Sequence, residues 1–466
     1  MEVHSAVFRK ELGQWDLVLT QILFIVGMGW IGTAGKLGAS HVSFWLLAIL
    51  LFYIPSAVVV IHLNRRMPLE GGLYQWAKFG FNEFTGFLVA WNLWLYAMVL
   101  MSEVGLQTAN NIAYALGPAA DWIAHNKWMI ALCSFAIIGG LMLVSSIGLT
   151  AGKWVHNAGA ITMLAMFAAM AALAILHWFR GERPANPPFA LTLPPLTLLS
   201  LNILGKMGFG ALGGFEYVAI FAGECKDPVK TIGRSVWIAA PIIACMFILG
   251  TGGVLTFVPI EQIDLVSPSS QVLAVGSRML GVGASIVPTV LILILGIRIA
   301  QASINFSATI RLPMVAGWDD LLPKWFTRLH PKYKTPTYSI LFVGALTLAL
   351  GLAGNSGVGN QEAYQLLNNC SGIFYALPYL VMFAIPLIGI SNASTGTGER
   401  PGLWVRIAAF SGFAMTLLYI VLSIFPIIAV ENAVGFALKI GGLVVIANVV
   451  GVVVFITASR RTRAQS

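Results

Sequence analysis

Residues 206–234 read KMGFGALGGFEYVAIFAGECKDPVKTIGR, and this stretch decides the fold. It opens inside an apolar segment and places Gly208, Gly210, Gly213 and Gly214 within seven residues. Glu216 follows, and the segment leaves the apolar region at Glu224-Cys-Lys-Asp-Pro228. A membrane helix gains nothing from clustered glycines and a carboxylate unless exposed backbone or charge is needed there. The stretch therefore reads as a broken helix with a functional midpoint.

The rest of the chain supplies the membrane. Of 466 residues, 58% are hydrophobic and 10% charged, with mean hydropathy +0.85. A soluble protein of this length carries roughly 25% charged residues. Apolar runs of about 20 residues recur from Trp15 to Ala458. They predict an all-α polytopic membrane protein with twelve transmembrane helices. The spans are 14–38, 42–62, 84–116, 128–147, 157–179, 198–223, 235–258, 284–313, 337–354, 364–390, 403–429 and 434–458. Segment 84–116 exceeds the hydrocarbon thickness and must tilt or project. The breaks at 63–83 and 314–336 read as amphipathic cytoplasmic linkers, and those at 180–197 and 259–283 as outer loops. The first segment spans and shows no cleavage pattern, so it is expected to stay in the mature protein.

Charge sets the orientation. Nineteen of the 27 lysines and arginines fall on one set of loops and five on the other, with Lys206, Arg298 and Lys439 inside spans. This asymmetry places both termini in the cytoplasm; the expected location is a plasma (inner) membrane. It also accounts for the net charge of +9 without a nucleic-acid partner. Cys133, Cys225, Cys245 and Cys370 form no CxxC pair, so they read as small buried hydrophobes and not as a metal or disulfide framework.

A second glycine-dense break, Val26-Gly-Met-Gly-Trp-Ile-Gly32, lies in the first span. Interrupted helices five spans apart point to an inverted 5+5 repeat with its site at the bilayer midplane. The repeats are then 14–179 and 198–390, followed by two accessory helices at 403–458.

Four stretches resemble the amino acid–polyamine–organocation transporter family. Gly27–Gly32 is similar to the break in that family's first helix. Arg66-Met-Pro-Leu-Glu-Gly-Gly-Leu-Tyr-Gln-Trp76, with Phe79-Gly80 and Gly86-Phe-Leu-Val-Ala-Trp91, resembles its first cytoplasmic loop and third helix. Phe215-Glu216 with Gly223-Glu-Cys-Lys-Asp-Pro-Val-Lys-Thr-Ile232 resembles the sixth helix and the loop after it. Arg311-Leu-Pro313, Leu322-Pro323, His330-Pro331, Lys334 and Pro336 are similar to the loop between helices eight and nine. The resemblance implies a leucine-transporter-type fold that moves amino acids or related amines by alternating access. It also implies substrate binding by backbone at Gly27, Met28, Gly29, Gly208, Gly210 and Gly213. Half-helix ends independently suit an amino acid's carboxylate and ammonium.

Three ionisable residues fall near mid-span: Glu103, Glu216 and Arg298. Each must be paired, neutralised or placed in a wet cavity. Arg298 keeps its proton and needs a counter-charge, for which Glu103 is the first choice and Glu216 the second. Glu216, just past the glycines, is the candidate gate or proton-responsive group. Among the aromatics, Trp30, Phe215 and Tyr217 stand beside the breaks and are candidates to line the site. The family's fifth-helix lysine has no counterpart in Ile161-Thr-Met-Leu164, and Thr162 with Ser303, Asn305 and Ser307 leaves sodium open.

The leading reading is a secondary amino acid transporter, working by proton symport or exchange, with no cofactor and no metal site. Its partners are a small amino acid substrate and the lipid bilayer. A polyamine or amine transporter of the same fold, a channel and a non-transporting sensor are the alternatives. No HExxH, GxSxG or Walker-type sequence favours an enzyme.

Overall fold

The structure is a computed structural model that describes residues 13–67, 72–147, 153–192, 195–216, 228–281, 283–315, 322, 325–326, 328–333, 335–388 and 401–465. Its helices run in the order α1 (Gln14–Ile25), α2 (Gly29–Gly35), α3 (His41–Ala48) and α4 (Ile54–Arg66), the last two joined by a π-helical turn at Ile49–Tyr53. Next come α5 (Leu73–Gly80), α6 (Glu83–Ser102), α7 (Val104–Leu116), α8 (Asp121–His125), α9 (Lys127–Ser146) and α10 (Lys153–Phe179). After α11 (Leu198–Gly205) and a π-helical turn at Lys206–Ala211 follow α12 (Pro228–Phe257), α13 (Pro268–Met279) and α14 (Gly283–Val315). The chain closes with α15 (Thr337–Gly354), α16 (Asn360–Ile388), α17 (Leu403–Leu422) and α18 (Ala433–Gln465).

No strand occurs among the described residues. In lipid a helix satisfies its own backbone polar groups, which is why an apolar chain of this composition folds this way. Among the described residues, ten helices are long and apolar enough to cross a membrane. Beside them stand α1 and α2, bent 54° at the first glycine cluster, and a shorter apolar helix, Leu198–Ala211. The protein is an integral membrane protein. Polar caps mark several helix starts: Asn82 accepts from the Thr85 N–H, Asn126 from Trp128 and Met129, and Thr197 from Ser200.

Two of the breaks, one expected to be a linker and the other an outer loop, hold helices. In 63–83, α5 buries Trp76, whose indole N–H donates to the Met67 carbonyl at 3.0 Å. In 259–283, α13 starts at Pro268 and packs against α2, α7, α12 and α14, so this outer segment is part of the core and not a surface loop. The long third span, Glu83–Leu116, is divided by a turn at Glu103. Of the cysteines, Cys370 is buried as expected, but Cys245 is exposed on α12, where an outward-facing thiol meets the apolar surroundings of the span. Cys225 lies outside the described residues.

Candidate functional site

The first break begins where Val26 turns extended (φ −75°, ψ 91°), leaving α1 with free terminal carbonyls. The Gln301 amide of α14 answers two of them, donating to Leu23 O at 3.0 Å and Val26 O at 3.3 Å. Glycine is required here by close approach. A Cβ on Gly29 would strike the Tyr364 hydroxyl and lie 3.2 Å from the Leu265 carbonyl. One on Gly27 would lie 2.6 Å from the indole of Trp30.

The second break is built differently. The π-helical turn ends at Leu212, and Gly214 takes φ +137°, a conformation open to glycine alone among common residues. Its N–H donates to the Tyr379 hydroxyl at 2.7 Å. The Trp30 ring also lies against Gly210, where a Cβ would sit 2.6 Å from it. One tryptophan thus wedges between the two breaks.

Around that wedge is a cavity of about 130 Å³. Its wall takes Gly27, Met28, Gly29 and Trp30 from the first break, Gly210 and Gly213 from the second, Glu103 from the third span and Arg298 from α14. Three other sequence-chosen residues lie outside that wall. Gly208 faces Met415, and Phe215 is fully buried and stacked on Tyr53 at 4.5 Å between centroids. The Glu216 carboxylate accepts hydrogen bonds from the Tyr375 and Tyr379 hydroxyls, and of these two phenols only Tyr375 reaches the cavity. Tyr217 lies outside the described residues.

The expected Glu103–Arg298 ion pair needs correction. The two share the cavity wall and interact electrostatically, but no ion pair joins them among the described residues. One helical turn along, Gln107 takes Glu103 Oε1 at 2.6 Å, while Glu103 Oε2 and Arg298 Nε are buried without a hydrogen-bond partner. Each therefore holds an unused polar atom beside a cavity. Of the α14 polar residues weighed for sodium, Asn305 bonds along its own helix, donating to Gln301 O at 2.9 Å. No cluster of metal-ligating side chains occurs among the described residues.

Sequence reading missed two features. Lys206, counted only as a charge within a span, is buried and bonded to Asn369 Oδ1 at 2.5 Å. And α16 carries Tyr364, Asn368, Ser371 and Tyr375 on the cavity, with Tyr379 one turn beyond. That spacing of three to four residues on an otherwise apolar span was the available signal.

Outside the spans, Asp264 ties down the segment expected to be an outer loop. Its carboxylate accepts from Asn110 at 2.9 Å, Gln361 at 2.5 Å and the Val266 N–H at 2.9 Å, joining α7, the outer segment and α16. Burial pushes this carboxyl above its ordinary range, against the opposite pull of those donors.

The sequence model of the amino acid permease family matches residues 12–455. The chain belongs to that family. An uncharacterized transporter of Legionella pneumophila is 26% identical over 380 residues, covering 81% of this chain and 80% of the relative. The branched-chain amino acid permease BcaP of Bacillus subtilis is 22% identical over 390 residues, covering 77% and 80%. A probable agmatine/putrescine antiporter, AguD of Lactococcus lactis, is 22% identical over 256 residues, 55% and 54% of the two chains. Among solved structures, MhsT in complex with L-phenylalanine superposes with TM-score 0.63 at 14% identity, over 89% of this chain and 98% of that one. That likeness establishes a shared leucine-transporter-type fold. These relatives are a transporter, a permease and a probable antiporter.

Proposed function

We propose that this permease is a secondary carrier that moves amino acids across a plasma (inner) membrane by alternating access. Its twelve spans form two inverted five-helix repeats, 14–179 and 198–390, broken in the first and sixth spans, with 403–458 accessory and both termini cytoplasmic. The substrate's main-chain groups bind at Gly27, Met28, Gly29, Gly210 and Gly213, with Trp30 as the wall of the site. Gly208 and Phe215 belong to the surrounding shell. Glu103, Glu216 and Arg298 serve coupling or gating, and the coupled ion is a proton, with sodium as the alternative.

One observation carries this reading. Residues drawn from the first, third, sixth and eighth spans, far apart in sequence, meet in one cavity at the bend between α1 and α2. About 130 Å³ suits a small ligand, since a cavity of roughly 150 Å³ holds a benzene-sized one. The unused Glu103 Oε2 and Arg298 Nε in the same wall complement a substrate carrying both an ammonium and a carboxylate.

The test is amino acid counterflow in proteoliposomes, preceded by a thermal-shift screen of amino acids and polyamines at two pH values with and without sodium. Saturable counterflow of an amino acid supports the carrier, and conductance without saturation makes it a channel. Binding without flux makes it a sensor. An amine substrate is the second reading, favoured by the unpartnered Glu103 oxygen and by the likeness to AguD. Arg298→Gln separates the two: it abolishes uptake of a carboxylate-bearing substrate and spares that of a diamine.

A further inference from the structure

Lys206 is a buried cation that the site described above does not use. It is 2% exposed and opens the π-helical turn that carries Gly208 and Gly210. Its ammonium donates to Asn369 Oδ1 of α16 at 2.5 Å and to Ser423 Oγ at 3.4 Å, just past α17. It also sits 5.7 Å from the centroid of the Tyr419 ring. All three partners are neutral, and no ion pair reaches it among the described residues. Of the buried carboxylates within the spans, Glu103 accepts from Gln107 and Glu216 from Tyr375 and Tyr379, and neither pairs with Lys206.

The elements packed on this turn bring few other titratable groups. Among buried titratable side chains, α17 brings Tyr419, and α16, which supplies Asn369, brings Tyr364, Cys370, Tyr375 and Tyr379. The second-span π turn brings Tyr53 and α3 brings His41, which bonds the Pro188 carbonyl. Lys36, after α2, is held by the Ile260 carbonyl. None of these is a carboxylate, so the Lys206 charge has nothing to lock it in place. Arg298, the other buried cation, keeps its proton under all ordinary conditions, whereas a lysine can release one.

Lys206 also stands one layer behind the cavity. Tyr419 and Phe209 pack at 4.8 Å between centroids and both line it, as does Asn368 beside Asn369. A change at the ammonium is therefore transmitted to the wall through two residues in direct contact with it.

We propose that Lys206 is a proton-responsive positioning residue: its charged form ties the glycine turn of the sixth span to Asn369, and loss of its proton releases that turn and weakens substrate binding. The proposal rests on the carrier reading, to which it adds a specific group that senses pH. The sign follows from the bond. A charged hydrogen bond is roughly twice as strong as a neutral one, so acid favours the tied turn and alkali the released one.

The test uses three variants of the full chain in proteoliposomes and in detergent. Wild-type substrate affinity is expected to fall as pH rises from about 6 to 9. Asn369→Asp, nearly isosteric, gives the ammonium a counter-charge and moves that fall upward by about one pH unit or more. Lys206→Arg holds the charge and flattens the profile. Lys206→Met flattens it too, with binding about tenfold weaker at the acid end, the effect of one lost charged hydrogen bond. Wild-type affinity that does not change with pH, or an unchanged profile in Asn369→Asp together with either Lys206 variant, overturns the proposal.

If no amino acid binds the wild type, the carrier reading fails, and melting temperature against pH without substrate still decides the role of Lys206. Curves for wild type and Asn369→Asp that diverge in alkali support it. Parallel curves reduce Lys206 to a structural tie and overturn it.

Discussion

The two glycine breaks meet at one tryptophan yet are held in opposite ways. The first carries no ionisable side chain between Val26 and Gly32 and is fixed by close approach: Gly29 against Tyr364 and the Leu265 carbonyl, Gly27 under Trp30. The second lies between Lys206 and Glu216 and is fixed by long side chains from α16, through Asn369, Tyr375 and Tyr379. Packing contacts are insensitive to pH, while polar ties to ionisable groups respond to it. On the proposed carrier reading, recognition falls mainly to the first break and switching to the second.

The sharpest way to break that assignment is Gly29→Ala. Its Cβ meets the Tyr364 hydroxyl and backbone at Leu265, and overpacking of this kind costs about 1–3 kcal/mol. Affinity measured by calorimetry should fall by up to about a hundredfold with no change in pH dependence. A mild effect would show that the first break is soft.

Glu216→Gln addresses the second break. Two phenol donors converge on the carboxylate, and an amide replaces one of its acceptor oxygens with a donor. The loss should be about 1–2 kcal/mol, read as a lowered melting temperature with an altered pH profile of uptake. Full stability with the wild-type profile would remove Glu216 from the switch.

A smaller effect is expected at the outer closure. The Asp264 carboxyl is raised by burial, so the closed arrangement holds its proton more tightly than an opened one in which the group is hydrated. Lowering the outside pH therefore favours closure, and raising it favours opening. With the native cysteines replaced, Ala113→Cys, in the wall of a pocket that Asp264 also lines, should label about two- to fivefold more slowly at pH 5 than at pH 7 after each rate is divided by that of a free thiol at the same pH. Asp264→Asn should erase that difference.

Gly208→Ala should be the mildest change. Its Cβ would press on the Met415 methyl, the far end of a flexible side chain, and reach Phe52 Cβ at an ordinary 3.6 Å, so affinity should stay within about 0.5 kcal/mol of wild type. A large loss would mean that Gly208 faces substrate after all.

The sequence announced what local pattern can announce. Gly27, Gly29, Gly210 and Gly213 were conspicuous because glycine clusters are costly inside an apolar span, and Glu103 and Arg298 because charges there are rare. What it hid was pairing. Nothing near Glu216 in the chain signals Tyr375 and Tyr379, which lie more than 150 residues away. Lys206 escaped attention because its partner Asn369 sits on α16, whose polar stripe becomes meaningful only once the helices are packed. The outer segment read as a loop for the same reason: short helices such as α13 are specified by what they dock against. Asp264 looked like an ordinary loop acid until α7 and α16 surrounded it.

The central claim is that the cavity between the breaks recognises the main-chain groups common to amino acids. The most direct measurement is competition for binding to the purified wild type, comparing the amino acid that stabilises it best with the amine formed by its decarboxylation. The account predicts that other amino acids displace it and that the amine fails to compete. Equal competition by the amine would contradict recognition of the α-carboxylate at the breaks and hand the site to the amine reading.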